Sequence, residues 1–274
     1  MGKTSIWPLV WLNIRKWKNN YRVWIVFLIE FSYMWISTYE YKLQAVANHL
    51  AVSGGFFAIW SSTKYGRFLM FLGIIVLFCN APFKDEHQTY LIIRSGKRKW
   101  MIGQCLYIFL ASLIYFSVMM LFCVLRYFPY INLENKWGDV IYTVASNRGV
   151  INNEILTTFT PMQACAQCFI ICVLLGFLHG IFILYINLYK KGTLGVWIAI
   201  TNICLSFFIT DFFTEKTQFL FLKYAILEWC DLKNYVNKYQ VSGLSLEKNI
   251  GIIIGVSIVL LILIRRKWRR EGTL

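Results

Sequence analysis

Residues 250–264 read IGIIIGVSIVLLILI, and the run breaks directly into Arg265-Arg266-Lys267-Trp268-Arg269-Arg270. An uncharged aliphatic stretch of this kind has no polar face to turn toward water. It therefore reads as a helix solvated by lipid, stopped at the bilayer surface by cations and an aromatic anchor. Working outward, five more stretches repeat the pattern, at about residues 21–38, 68–83, 100–125, 162–189 and 194–213, and the second could begin earlier, through Phe56 to Trp60. Composition agrees: a chain of 274 residues that is 58% hydrophobic and 15% charged carries more apolar surface than its polar residues can cover in water. The expectation is an all-α membrane protein, one transmembrane domain with six transmembrane helices.

Lys and Arg decide the orientation, because short loops rich in them stay in the cytoplasm. With an even number of spans, one side holds Lys3, Arg15, Lys16, Lys18 and Arg22, then Lys84, Arg94, Lys97, Arg98 and Lys99, then Lys190 and Lys191, then the basic tail of 265–274. These short pieces carry seventeen of the 28 basic residues against only Asp85, Glu86 and Glu271. The longer loops at 127–160 and 214–248 are nearly balanced and fall outside. Both termini are thus expected in the cytoplasm, and the net charge of +15 is a topology signal answered by anionic lipid headgroups, with no nucleic acid implied.

The connecting pieces are informative too. Residues 1–20 contain IWPLVWLNIRKWK (Ile6–Lys18), an amphipathic, basic-ended segment expected to lie in the interface and lead into the first span. No small-residue cleavage site follows the first apolar run, so that span is expected to be retained. Residues 84–99, KDEHQTYLIIRSGKRK, are expected to form a short helix over Asp85 to Arg94, with acids in its first turn and bases near its end, as the helix dipole favours. Outside, Phe219–Cys230, FLFLKYAILEWC, is too interrupted to span and is expected either to lie in the outer interface or to dip partway in.

Several chemistries find no footing. Gly2-Lys3-Thr4 lacks the upstream glycine and strand of a phosphate loop, there is no HExxH or GxSxG, and His49, His87 and His179 are scattered. No catalytic residue and no bound cofactor is expected on this chain. Cys165, Cys168 and Cys172 share a helical face at ligand-like spacing, but small thiols in an apolar run suit helix packing, and no second cluster completes a metal site. Seven of the eight cysteines lie in or beside apolar runs and only Cys230 in a polar one, so free thiols are expected. Gly176-x-x-x-Gly180 and Gly251-x-x-x-Gly255 permit close helix approach, within the chain or between subunits. Glu30, the one acid in the middle of an expected span, should face protein or a water-filled path; with His179 it is a candidate for a transport pathway, and its alternative is a hydrogen-bonded structural role.

The connector after the second span carries a resemblance. It reads Asp85-Glu86-His87-Gln88-Thr89-Tyr90-Leu91, then Arg94-Ser95-Gly96-Lys97-Arg98-Lys99-Trp100, then Gly103-Gln104. This resembles the permease subunits of type-2 ABC transporters, the group that includes bacterial antibiotic- and lantibiotic-peptide efflux and immunity permeases. Their corresponding loop has an acidic pair, a Thr-Leu-like step, a basic turn and a Gly-Lys opening the third span. Gln104 departs from that Lys, and His87-Gln88 from the usual acidic-Gly pair. The order of parts is similar over nearly the whole chain. The resemblance implies that Asp85, Glu86, His87, Gln88, Thr89, Tyr90, Leu91, Arg94, Lys97, Arg98 and Lys99 form a coupling helix docking on a separate ATPase subunit that binds ATP and Mg. It also implies a second permease subunit, identical or related, and a bacterial plasma membrane. The alternative from another class is a non-transporting membrane sensor, scaffold or immunity protein; an embedded enzyme would need converging polar groups that the spans do not supply.

Overall fold

The computed structural model describes residues 6–83, 88–132, 134–147, 153–190, 192–212, 224–236 and 245–270. Among them are twelve α-helices: α1 (Trp7–Arg15), α2 (Tyr21–Ser37), α3 (Tyr39–Ala47), α4 (Phe56–Ser62), α5 (Lys64–Phe78), α6 (Gln88–Ser95), α7 (Lys97–Tyr127), α8 (Asp139–Asn147), α9 (Asn153–Thr158), α10 (Pro161–Tyr189), α11 (Leu194–Phe212) and α12 (Leu246–Arg270). A parallel ladder, β1 (Val52–Ser53) beside β2 (Ile131–Asn132), ties the segment after α3 to the segment after α7.

The starts of the long helices follow from local chemistry. Thr160 and Gln163 close a reciprocal capping box with Pro161 at the first helical position, so α10 begins there. Asn20 accepts from the Arg22 amide at 3.1 Å and starts α2. Gly96, at φ +83°, separates α6 from α7 by a single residue. Apolar around its whole circumference, α10 is the buried axis, and α4, α5, α7, α11 and α12 all pack on it.

Contacts segregate into two ends. At one, Trp17 Nε1 donates to the Tyr107 hydroxyl at 2.7 Å and Arg22 donates to Asn80 at 3.0 Å. There too Asn187 donates to the Ala81 carbonyl at 2.8 Å and Trp268 stacks on Trp100 at 5.3 Å. At the other, Val52 N donates to Tyr130 O, Thr143 to Gln44, Met162 N to Asn135, and Lys42 to the Arg126 carbonyl. Trp17, Arg22 and Trp268, read above as cytoplasmic, thus meet the near ends of the second and third expected spans, and stretches read as outer meet at the other end.

The architecture is all-α, with helices that suit a bilayer. Three, Lys97–Tyr127, Pro161–Tyr189 and Leu246–Trp268, are long and apolar enough to cross one. α4 with α5 makes a fourth if the pair is taken together, but the two are bent by 89°. α2 has 17 residues, and the apolar part of α11, Leu194–Ile209, is likewise short. The second span thus does not extend straight back to Phe56. Thr63 is extended (φ −75°, ψ 134°), and the hydroxyls of Ser61, Ser62 and Thr63 bond back to the carbonyls of Ala58 and Trp60 at 2.7–3.0 Å. The Ser62 carbonyl is taken by the Arg67 guanidinium at 3.0 Å, in place of a continuing turn. α5 also ends at Phe78, short of Phe83.

The two glycine pairs differ in their surroundings. A methyl group on Gly180 would collide with Ile108 and meet Phe78 at 2.8 Å, and one on Gly176 would meet Phe116 at 2.8 Å. One on Gly251 or Gly255 meets nothing within 4 Å. Gly180→Ala should therefore lower stability by about 1–3 kcal/mol through overpacking, in spite of alanine's better helix propensity. Gly251→Ala should change it by less than about 0.5 kcal/mol. Thermal melts of the purified protein in detergent check both; equal melting shifts for the two variants would contradict this packing.

Candidate functional site

α6 is the element the sequence marks most strongly. Its first turn begins at Gln88, while Asp85, Glu86 and His87 lie outside the described residues. Tyr90 is 63% exposed and Ile93 77%, with Arg94 exposed beside them, whereas Leu91 and Ile92 turn inward. Leu91 shares a small cleft with Leu9, Leu12, Phe83, Trp100 and Gln104, so α1 backs the helix from the protein side. The Gln104 side chain accepts from the Phe83 amide at 3.2 Å, which fastens the start of α7 to the chain leaving α5. Lys97, Arg98 and Lys99 open α7 directly after Gly96. Ile93 was not singled out from sequence; its place three residues after Tyr90 puts both on one face.

Glu30 is buried, 2% exposed, where α2, α5 and α7 converge. Its Oε1 lies 3.5 Å from the Tyr115 hydroxyl, which sits 3.0 Å from the Met70 carbonyl. A single hydroxyl proton cannot satisfy both acceptors, and the shorter contact is the better bond. Gly73 makes the room: a methyl group there would press on Tyr115 and Val26. Glu30 thus faces protein. His179 is also buried, its Nδ1 2.8 Å from the Leu175 carbonyl of its own helix and its ring 5.7 Å from that of Phe71. No hydrogen bond or ion pair joins it to Glu30 among the described residues.

The residues that sequence reading missed lie at the other end. Arg67, 2% exposed, donates Nη1 to Asp231 Oδ2 at 2.7 Å and Nη2 to Glu228 Oε2 at 2.8 Å. Glu228 sits on a short 3₁₀ turn, Ile226–Cys230, and Asp231 caps the start of the next, Leu232–Tyr235. Asp231 Oδ1 accepts from the Lys233 amide at 3.0 Å. Burial pushes the Glu228 carboxyl up from the ordinary range, and the Arg67 charge opposes that shift. Asn249 of α12 donates to the Tyr235 hydroxyl at 2.7 Å, and the Cys172 and Cys230 sulfurs stand 3.7 Å apart. This outer segment is thereby stitched to α5, α10 and α12. Next to it lies a cavity of about 450 Å³ walled by Tyr33, Trp60, Tyr65, Lys64, Arg67 and Glu228. Aromatic faces with one buried ion cluster can hold a small amphipathic ligand. No three ligating side chains converge as a metal site among the described residues. The available signal was an Arg at the end of an apolar run and two carboxylates three residues apart in a semi-apolar loop.

Removing the cation from a buried cluster leaves uncompensated carboxylates. Arg67→Met should cost about 3–5 kcal/mol, and combining it with Glu228→Gln and Asp231→Asn should recover a large part of that loss. Melting curves of the single and triple variants read it; a triple variant no more stable than Arg67→Met would remove the ion cluster as the cause. No family model matches this chain, no curated protein matches its sequence, and no solved structure matches its fold.

Proposed function

We propose that this chain is the membrane-spanning subunit of an ATP-driven transporter of the type-2 ABC kind, one that exports a peptide or hydrophobic compound. The observation that carries the reading is the face of α6. Two large apolar side chains and an arginine stand in the open at the elbow between α5 and α7, at the end where the basic connectors gather. A solvated loop has no reason to hold Tyr90 and Ile93 outward on a helix anchored from behind by Leu91. A protein partner covering them does. In this reading α2, the α4–α5 pair, α7, α10, α11 and α12 make six crossings with both termini in the cytoplasm. Residues 127–160 and 214–248 lie outside, and a second permease subunit completes the pathway. ATP and Mg belong to the ATPase that seats on α6, and Glu30, buried where α2, α5 and α7 converge, is the candidate carboxylate for a pathway that opens during transport.

The outer cavity favours a second reading: a non-transporting sensor or immunity protein that binds its ligand beside Arg67, Glu228 and Asp231. Affinity purification of the full chain from its own cells separates the two. On the transport reading an ATPase subunit co-purifies, and Tyr90→Ala with Ile93→Asp weakens its retention at least tenfold, as does charge reversal at Asp85 and Glu86 together with Lys97 and Arg98. Glu30→Gln should reduce transport while leaving the ATPase bound. Retention of no ATPase, or labelling of a cysteine at position 97 by an impermeant outside reagent, would sink the transport reading.

A further inference from the structure

α7 and α12 both lean on α10 and close on each other at the basic end, where Trp268 stacks on Trp100 at an interplanar angle of 23° and donates Nε1 to the Lys97 carbonyl at 3.2 Å. Above that closure they leave a groove of about 610 Å³. Its walls are Met101, Ile102, Cys105, Leu106 and Phe109 of α7, Leu261 and Ile264 of α12, and Phe177 of α10. Lys97, Arg98 and Arg265 line its mouth, and no carboxylate lines it.

The shape and the charge both restrict the occupant. From Lys97 to Phe109 the groove runs about 18 Å along α7, at roughly 1.5 Å per residue. That is a little over half of a hydrocarbon core of about 30 Å, the reach of one leaflet. The mouth holds three cations within one helical turn of the apolar walls, at the level where Trp100 and Trp268 mark the interface. A water-soluble anion would be served by the mouth and gain nothing from the walls, and a zwitterionic lipid would gain less from the mouth because its own cation offsets the phosphate. We propose that the groove is a binding site for one anionic phospholipid, with its phosphate among Lys97, Arg98 and Arg265 and an acyl chain laid along Ile102, Leu106 and Phe109 as far as Phe177. This rests on the membrane-spanning character of α7, α10 and α12, and needs no partner subunit.

Native mass spectrometry of the purified chain, titrated with phosphatidylglycerol or phosphatidylcholine, tests it. One phosphatidylglycerol should be retained per chain at concentrations where phosphatidylcholine is lost, and millimolar inorganic phosphate should not displace it. Arg265→Ala should weaken retention about fivefold, and removal of all three cations more than fiftyfold, at roughly fivefold per cation near an anionic headgroup. Leu106→Trp fills the groove without altering charge and should weaken retention as strongly as the triple variant. In a variant whose sole cysteine is Cys105, nanodiscs of phosphatidylglycerol should slow maleimide labelling relative to phosphatidylcholine, a readout that does not depend on the tryptophan variant folding. Equal retention of the two lipids, unchanged retention in a folded Leu106→Trp protein, or equal labelling of Cys105 in both lipids would overturn the proposal.

Discussion

A guanidinium shut away from water is costly to leave without a counter-charge, and Arg67 is buried at the head of α5. The carboxylates that balance it come from far along the chain, 161 and 164 residues away, on a segment folded into two short 3₁₀ turns. The charge therefore dictates where the outer segment goes. With Glu228 and Asp231 drawn onto Arg67, Cys230 falls against Cys172 and Tyr235 reaches Asn249, so a single electrostatic demand gathers α5, α10 and α12 at that end. The same guanidinium takes the carbonyls that α4 presents at its last turn, and so holds the right-angle break between α4 and α5.

At the opposite end no comparable charge cluster is buried among the described residues. There the helices are joined by aromatic and amide contacts of modest individual strength: Trp17 with Tyr107, Asn187 with Ala81 and Gly195, Trp100 with Trp268. The end around Arg67 is fixed by a few contacts that are costly to break; the basic end is fixed by several that break singly at small cost.

Much of this was legible in the sequence. α7, α10 and α12 follow uninterrupted apolar runs, and their ends fall within a few residues of the basic and aromatic anchors that bound those runs. α6 could be read because acids precede and bases follow a short apolar centre. The ion cluster could not. Arg67 looks like one more flanking cation until Glu228 and Asp231 are brought to it, and nothing local records a partner that distant. Nor does any periodicity announce α3, α8 or α9, which are short and take their shape from what they pack against. Glu30 could be singled out as anomalous, but the tyrosine that meets it lies on a different helix, and Gly73, which makes the space, looks like any glycine in an apolar run.

Gly96 stands alone between α6 and α7, in a backbone conformation that side chains rarely adopt and with no atom crowding it. The heading of α6 therefore depends on one residue's torsions. α6 is a lever of roughly 12 Å, so a turn of about 10° at this pivot carries its far end through about 2 Å. Phe83, at the end of the chain leaving α5, is held separately by Gln104. A load on Tyr90 and Ile93 would then reach α7 as a twist about Gly96. Such an elbow is a crank: it changes the direction of a force, with one glycine as its bearing.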